Sequence, residues 1–337
     1  MELDQNQRGF SNELFGGIPE VKENKPEKAN FLLMITLLCY IGYSFAINIA
    51  GGLLGSVLPF LKDEMFGLVT GQMVLIIPTV IFMVKNRLNP LDFFPIKAIK
   101  VPTVILVVFF TYASYPLIAL CNQISLLYSE NIIDDTLGGM FQTYPLIVCV
   151  FAVALVPCIV EETIFRGVMY RSYKEAGIWK AVLFTAILFG MFHMNLNQMT
   201  YAMVIGIILA ILNEVTGSMV SSVIMHFVIN ATSVVASYEL FHNADAMNSV
   251  TEQLAEQETM TASALPGLLI ASCIGIGFMV FILWAIMKIE GREDEVHNFF
   301  GEAFVSRGKI ITGAIIAVIA ICCIFMALVA LAPLMQK

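Results

Sequence analysis

The chain has 337 residues, of which 58% are hydrophobic and only 13% charged. A soluble globular domain lies nearer half apolar and a quarter charged, so the composition describes a multi-pass membrane protein. The net charge is -8 and no basic patch is interleaved with aromatics, which excludes nucleic acid as a partner.

Residues 1–28 are polar and rich in Asn, Glu and Lys, and the first apolar run follows them. A cleavable signal would carry its apolar core within roughly the first 15–30 residues. The segment is therefore expected to be a polar cytosolic tail. About nine spans follow by the rule of roughly 20 apolar residues each. They cover 31–61, 67–84, 101–127, 144–166, 181–193, 200–212, 219–238, 265–288 and 310–335. The fifth and sixth are short, as tilted or half-depth helices would be. The fold class is all-α, a polytopic transmembrane helix bundle in the cell membrane.

Charge in the loops orients it. Lys22, Lys25 and Lys28 precede span one, and Lys85, Arg87, Lys97 and Lys100 follow span two. Arg166, Arg171, Lys174 and Lys180 follow span four, and Lys288, Arg292, Arg307 and Lys309 precede span nine. The alternate loops, 122–142 with Glu130, Asp134 and Asp135, and the acidic 239–266, have no Lys or Arg. Positive residues stay inside, which puts the N-terminus inside and the C-terminus outside, as an odd count requires.

Three lesser features have two readings each. The loop 89–100 mixes Leu91, Phe93 and Phe94 with Lys97 and Lys100, as an interfacial segment or an ordinary loop would. Gly51, Gly52 and Gly55 offer either a small-residue helix-packing face or a bend. The seven cysteines lie in apolar runs with no CxxC pair, so they read as small buried hydrophobes rather than zinc or disulfide ligands.

The polar residues within the spans carry the functional reading. Ionisable groups in a bilayer are costly and mark functional sites. Glu161, Glu162 and Arg166 end an apolar run that starts at Tyr144. Glu162 and Arg166 are spaced i,i+4 with the acid first, the favourable order for an ion pair. Glu161 lies about 100° round the helix and cannot share that partner equally. It is left to face a cavity as the working acid/base. The bland alternative is a solvated helix end at the headgroups. His193 ends another apolar run, where a core or interface histidine is also common. His226 and Asn230 are i,i+4, with Ser222 a turn earlier on the same face. Such a stripe acts either as interhelical glue or as a pair of donors to a developing oxyanion. There is no HExxH, no GxSxG and no Asp within the spans, which argues against zincin, serine-hydrolase and aspartyl chemistry.

The run Pro157–Gly167 resembles the EExxxR motif of the CAAX protease and bacteriocin-processing family of intramembrane metalloproteases. Phe189-Gly190-Met191-Phe192-His193 resembles its FxxxH motif, and the stretch 217–230, ending in His226 and Asn230, its HxxxN/D motif. The similarity covers about 142–240, flanked by N-terminal helices over 29–141 and C-terminal helices with an acidic external loop over 241–337. It implies an endopeptidase cutting a peptide or lipidated protein near the cytosolic face of the lipid bilayer. Glu161 and His193 would activate water, His226 and Asn230 would hold the oxyanion, and Glu162 with Arg166 would support the site. A divalent ion such as zinc could use Glu161, His193 and His226, a two-His, one-carboxylate set with an open position; metal-free acid/base chemistry is the other option. Members of the family also act as bacteriocin-immunity factors or scaffolds. A proton-coupled transporter is a third reading, although no internal repeat supports it.

Depth sets a condition on this site. At 1.5 Å per residue, straight helices starting at the surfaces leave His193 about 20 Å from the inner face and Glu161 close to that face. Either span four runs on past Arg166 towards Glu175, or span five is set inward and kinked near Gly190. The first is expected.

Overall fold

The structure, a computed structural model, describes residues 26–129, 139–174, 176–243, 257–301 and 309–335. Lys22, Lys25, Glu130, Asp134, Asp135, Glu175, Arg307 and the acidic stretch 244–256 lie outside these residues. Among the described residues the chain is helical throughout, with no strand. Eight helices are long and apolar enough to cross a membrane. They are α1 (Pro26–Leu54), α2 (Glu64–Lys85), α3 (Val101–Ser125), α4 (Leu146–Lys174), α6 (Leu196–Thr216), α7 (Met219–His242), α8 (Gln257–Glu290) and α10 (Gly313–Met335). Between α4 and α6 lies α5 (Ile178–Phe192), of 15 residues, and between α8 and α10 the amphipathic α9 (Glu293–Gly301). The protein is a multi-pass membrane bundle.

The nine expected spans thus become eight full-length helices and one short one. Span six is longer than its sequence suggested, because Asn195 caps α6 by accepting from the amides of Asn197 and Gln198. Polar Asn197 and Asn213 are carried inside the bundle rather than ending the helix. Span four continues to Lys174, as the depth condition requires.

Nine legs, α5 included, alternate between two ends. At one end Met219 N donates to Pro95 O at 2.8 Å, and Lys100 N to Glu290 Oε1 at 3.0 Å. Arg292 Nη2 reaches Glu214 O at 3.3 Å, and Asn30 Nδ2 donates to Ile310 O at 2.7 Å. At the other end Tyr144 OH donates to Asp63 Oδ2 at 2.8 Å, and Asn197 Nδ2 to Ser125 Oγ at 2.7 Å. The first end carries Lys97, Lys100, Lys174, Lys288 and Arg292, whereas Lys62 is at the second. The start of α1 and the end of α10 therefore fall at opposite ends of the bundle.

The loop 89–100 does not lay its aromatics on the membrane. Phe93 and Phe94 are buried, and Arg171 stacks its guanidinium over Phe93 at 5.1 Å. The Phe94 ring fills the place where Gly167 lacks a side chain; a Cβ there would lie 2.5 Å from it. Gly51 and Gly55 likewise receive the turn Pro59–Lys62 rather than a second helix, with Leu61 O 3.1 Å from the Cβ position of Gly51. All seven cysteines are free; Cys149, Cys158 and Cys322 are buried, and Cys39, Cys273 and Cys323 are exposed on their helices.

Candidate active site

Helix α4 brings the two carboxylates in, and its backbone is not a uniform α-helix. Val150–Leu155 and Thr163–Tyr170 are π-helical, separated by α-helical Val156–Glu162. Pro157 has no N–H to donate, and its ring would crowd a regular α-turn. The wider π-turn just before it removes that conflict. Such turns recur at functional sites, and here they flank Glu161 and Glu162 on both sides.

Glu162 and Arg166 pair as their spacing predicts, with Arg166 Nη1 donating to Glu162 Oε1 at 2.9 Å. Glu162 is fully buried and Arg166 is 2% exposed. A buried guanidinium needs its remaining donors met. Arg166 Nη2 donates to Gly206 O on α6 at 3.3 Å, and its carbon lies 4.4 Å above the Phe189 ring. Gly206 also lets α6 close on α5, since a Cβ there would sit 2.9 Å from Ala186 Cα. Gly190 does the same for the α5–α6 contact, with Met199 O 2.7 Å from its Cβ position.

His226 meets both carboxylates. Its Nδ1 is 3.0 Å from Glu162 Oε1. The buried carboxylate accepts, so Nδ1 carries the proton. Its Nε2 lies 3.8 Å from Glu161 Oε2, too far for a direct hydrogen bond. Glu162 thus holds the histidine as well as the arginine, a link across 64 residues that helix spacing does not reveal. Glu162 Oε2 is buried, and Ser222 of α7 lies close enough to interact with this carboxylate. Glu161 is more open, at 19% exposure.

His193 follows the last residue of α5, and its Nδ1–H donates to Phe189 O at 2.8 Å. Its Nε2 is left as the acceptor. His193 and His226 both pack edge-on against Phe189, at 5.1 and 5.8 Å between ring centroids. Their two rings are therefore within about 11 Å of each other. Phe189 is the residue sequence reasoning passed over, as an unremarked motif position. It touches both histidines and the arginine. Asn230 is half-buried, one turn beyond His226 on α7. Ser222 Oγ donates to Met219 O at 3.0 Å, within its own helix.

A zinc site needs three protein donors at about 2.0–2.2 Å for nitrogen and oxygen. Two donors of one ion can be 3.8 Å apart, so Glu161 and His226 meet part of that requirement. Among the described residues no group of three or more His, Cys, Asp or Glu side chains is gathered to hold a metal. His193 does not complete the set in this arrangement.

A carboxylate, an imidazole fixed through its far nitrogen, and a buried ion pair thus stand together inside an apolar bundle. Residues 143–232 match the family model of Rce1-like type II CAAX prenyl endopeptidases. The matched segment runs from just before α4 to the middle of α7 and holds every residue of this site. At the level of the family, the match suggests CAAX-type membrane endopeptidase activity, on a segment of 90 of the 337 residues. No curated protein and no solved structure matches the chain.

Proposed function

We propose that the protein is an intramembrane endopeptidase that hydrolyses a peptide bond with water activated by Glu161. The observation that carries this reading is the placement of His226 between the two carboxylates, at 3.0 Å from Glu162 and 3.8 Å from Glu161. A general base must stand within hydrogen-bond reach of the proton that it takes, or one water away. The gap between Glu161 Oε2 and His226 Nε2 has the width at which one water can touch both.

In this mechanism Glu161 accepts a proton as the water oxygen bonds to the scissile carbonyl carbon. His193, its Nδ1–H tied to Phe189 O, presents Nε2 to share that task. Charge then develops on the carbonyl oxygen. His226, which enters the step with protons on both ring nitrogens and keeps them throughout, donates Nε2–H to it together with Asn230 Nδ2–H₂, as an oxyanion hole does. Glu162 holds His226 through Nδ1 and stabilises its protonated form, as the acid of a catalytic triad does for its histidine. Arg166 keeps Glu162 ionised and fixed. As the C–N bond breaks, Glu161 returns its proton to the leaving amine. No step requires a metal. The substrate class is a peptide or lipidated protein reaching the site from the bilayer at the cytosolic side.

Glu161→Ala and His226→Ala should each abolish processing of a peptide or prenylated reporter, while both variants still insert and run as monodisperse particles in detergent. Unchanged processing would leave a non-catalytic role, such as immunity or regulation, on the same fold. Activity that survives a strong chelator supports the metal-free route, and recovery only on adding zinc would replace it.

A further inference from the structure

Two histidines and an arginine of the site lean on one side chain that has no reacting atom of its own. Phe189 of α5 is 2% exposed. The Arg166 guanidinium carbon stands 4.4 Å above its ring centroid. His193 and His226 stand to the ring at 89° and 90°, with centroids 5.1 and 5.8 Å away, the edge-to-face arrangement of aromatic pairs. The ring is also held from behind. Phe165 of α4 meets it edge-on at 5.2 Å, and the Cβ position of Gly206 on α6 lies 3.4 Å from Phe189 Cδ1. Helices α4, α5, α6 and α7 therefore meet at a single phenyl ring.

A leucine would fill much of this volume and keep it dry. What it lacks is a face of negative charge, which an aromatic ring has by virtue of its quadrupole. The attraction of a cation to such a face is slight in water and grows when the cation is desolvated. Arg166, at 2% exposure, is desolvated. Its surroundings are the Glu162 carboxylate at 2.9 Å, the Gly206 carbonyl at 3.3 Å and the Phe189 face. The same Glu162 oxygen that takes Arg166 Nη1 takes His226 Nδ1 at 3.0 Å. A shift of the guanidinium is thus passed to His226 through one shared atom, and His226 also touches the ring directly.

We propose that Phe189 is a positioning residue that acts through the charge of its π face rather than through its bulk. The face fixes Arg166; through Glu162 Oε1 and by direct contact it fixes the His226 ring opposite Glu161. The hold on Arg166 does not depend on turnover, whereas its catalytic consequence rests on the endopeptidase reading.

Rings of one shape and graded charge test this. Mono-, di- and trifluorophenylalanine are placed at position 189 of the full-length protein by amber suppression; each fluorine withdraws charge from the face and leaves the ring's form nearly unchanged. Melting in detergent should fall step by step, by about 3–6 °C across the series. In reporter cleavage kcat should fall in the same order, about tenfold by the third fluorine, with KM unchanged, as loss of an interaction that serves the transition state does. A flat melting series overturns the proposal, because a wall that acts by bulk does not sense fluorine. Falling melting temperatures with a constant kcat overturn it as well, since the face would then serve the fold and not the site. Phe189→Leu should lose at least as much kcat as the trifluoro ring; a leucine variant as active as wild type sinks the idea. Stepwise melting in a protein that cleaves no reporter sustains the aromatic hold on Arg166 and removes the endopeptidase reading instead.

Discussion

Glu162 and Arg166 show how much a single buried pair can control. Both ions are out of water, and their desolvation is met only because Gly206 O and the Phe189 face take up what Glu162 leaves unsatisfied. Removing one partner of such a pair typically costs about 3–5 kcal/mol, since the other is left buried and charged. Arg166→Met should therefore lower thermal stability in detergent by about that amount. Arg166→Lys should fail almost as badly, because a lysine cannot reach the acid and the α6 carbonyl with one planar fork. Glu162→Gln tests the second duty of the same carboxylate. It should reduce kcat by about 10²- to 10⁴-fold, because the amide no longer carries the negative charge that stabilises the protonated histidine. A loss of under threefold would mean that His226 does not act through Glu162. Sequence spacing made the first pairing legible, since i,i+4 on a helix is local geometry. It did not show the second, because His226 comes from another helix and only packing decides which carboxylate it meets. Helix spacing points to one partner of Glu162, and packing adds the second.

At the scale of the element, two helices meet at distances that only glycine permits. Gly206 faces Ala186 and Gly190 faces Met199 and Met203, so α5 and α6 lie backbone to backbone. Ala186 is main chain at 2.9 Å and cannot move aside by rotating. Gly206→Ala should force the helices apart, cost about 1–3 kcal/mol as overpacked cores do, and break the Arg166 bond to Gly206 O. Melting and activity should fall together in that variant; a neutral result would show the interface to be loose. The approach was not readable beforehand, because glycines in an apolar run look alike and only the partner distinguishes them. The π-turns of α4 were equally hidden: Pro157 hints at an irregularity without giving its form. By contrast the length of α4 was legible, because no straight α4 ending at Arg166 could bring Glu161 level with His193. The acid at Glu161 and the histidines were legible for another reason. Titratable groups are rare enough in an apolar chain that each must be accounted for.

Across the whole molecule, the N- and C-terminal helices are tied into the site-bearing segment by buried polar contacts. Asn30 of α1 accepts from Tyr173 OH at the end of α4 and donates to Ile310 O and Thr312 beside α10. Tyr173→Phe leaves the Asn30 oxygen buried without that donor, which should destabilise the bundle by about 1–3 kcal/mol, read by unfolding in detergent. The basic end of the bundle, with Lys97, Lys100, Lys174 and Arg292, is proposed to be cytosolic by the positive-inside rule. An epitope inserted within 244–256 should then be reached from outside intact cells, and one within 302–308 only after permeabilisation. The reverse pattern would invert the assignment. One further property follows from α5. Its 15 residues span about 22 Å at 1.5 Å each, against a hydrocarbon core of about 30 Å. Leu183 keeps part of that short helix open to lipid. A bilayer meets a short wall by thinning, at a fraction of a kcal/mol per Å. The bilayer beside α5 is therefore expected to be thinner than its surroundings. This thinning should bring water closer to His193 than the surrounding bilayer allows, and the protein's turnover should fall as the acyl chains of reconstituted vesicles are lengthened.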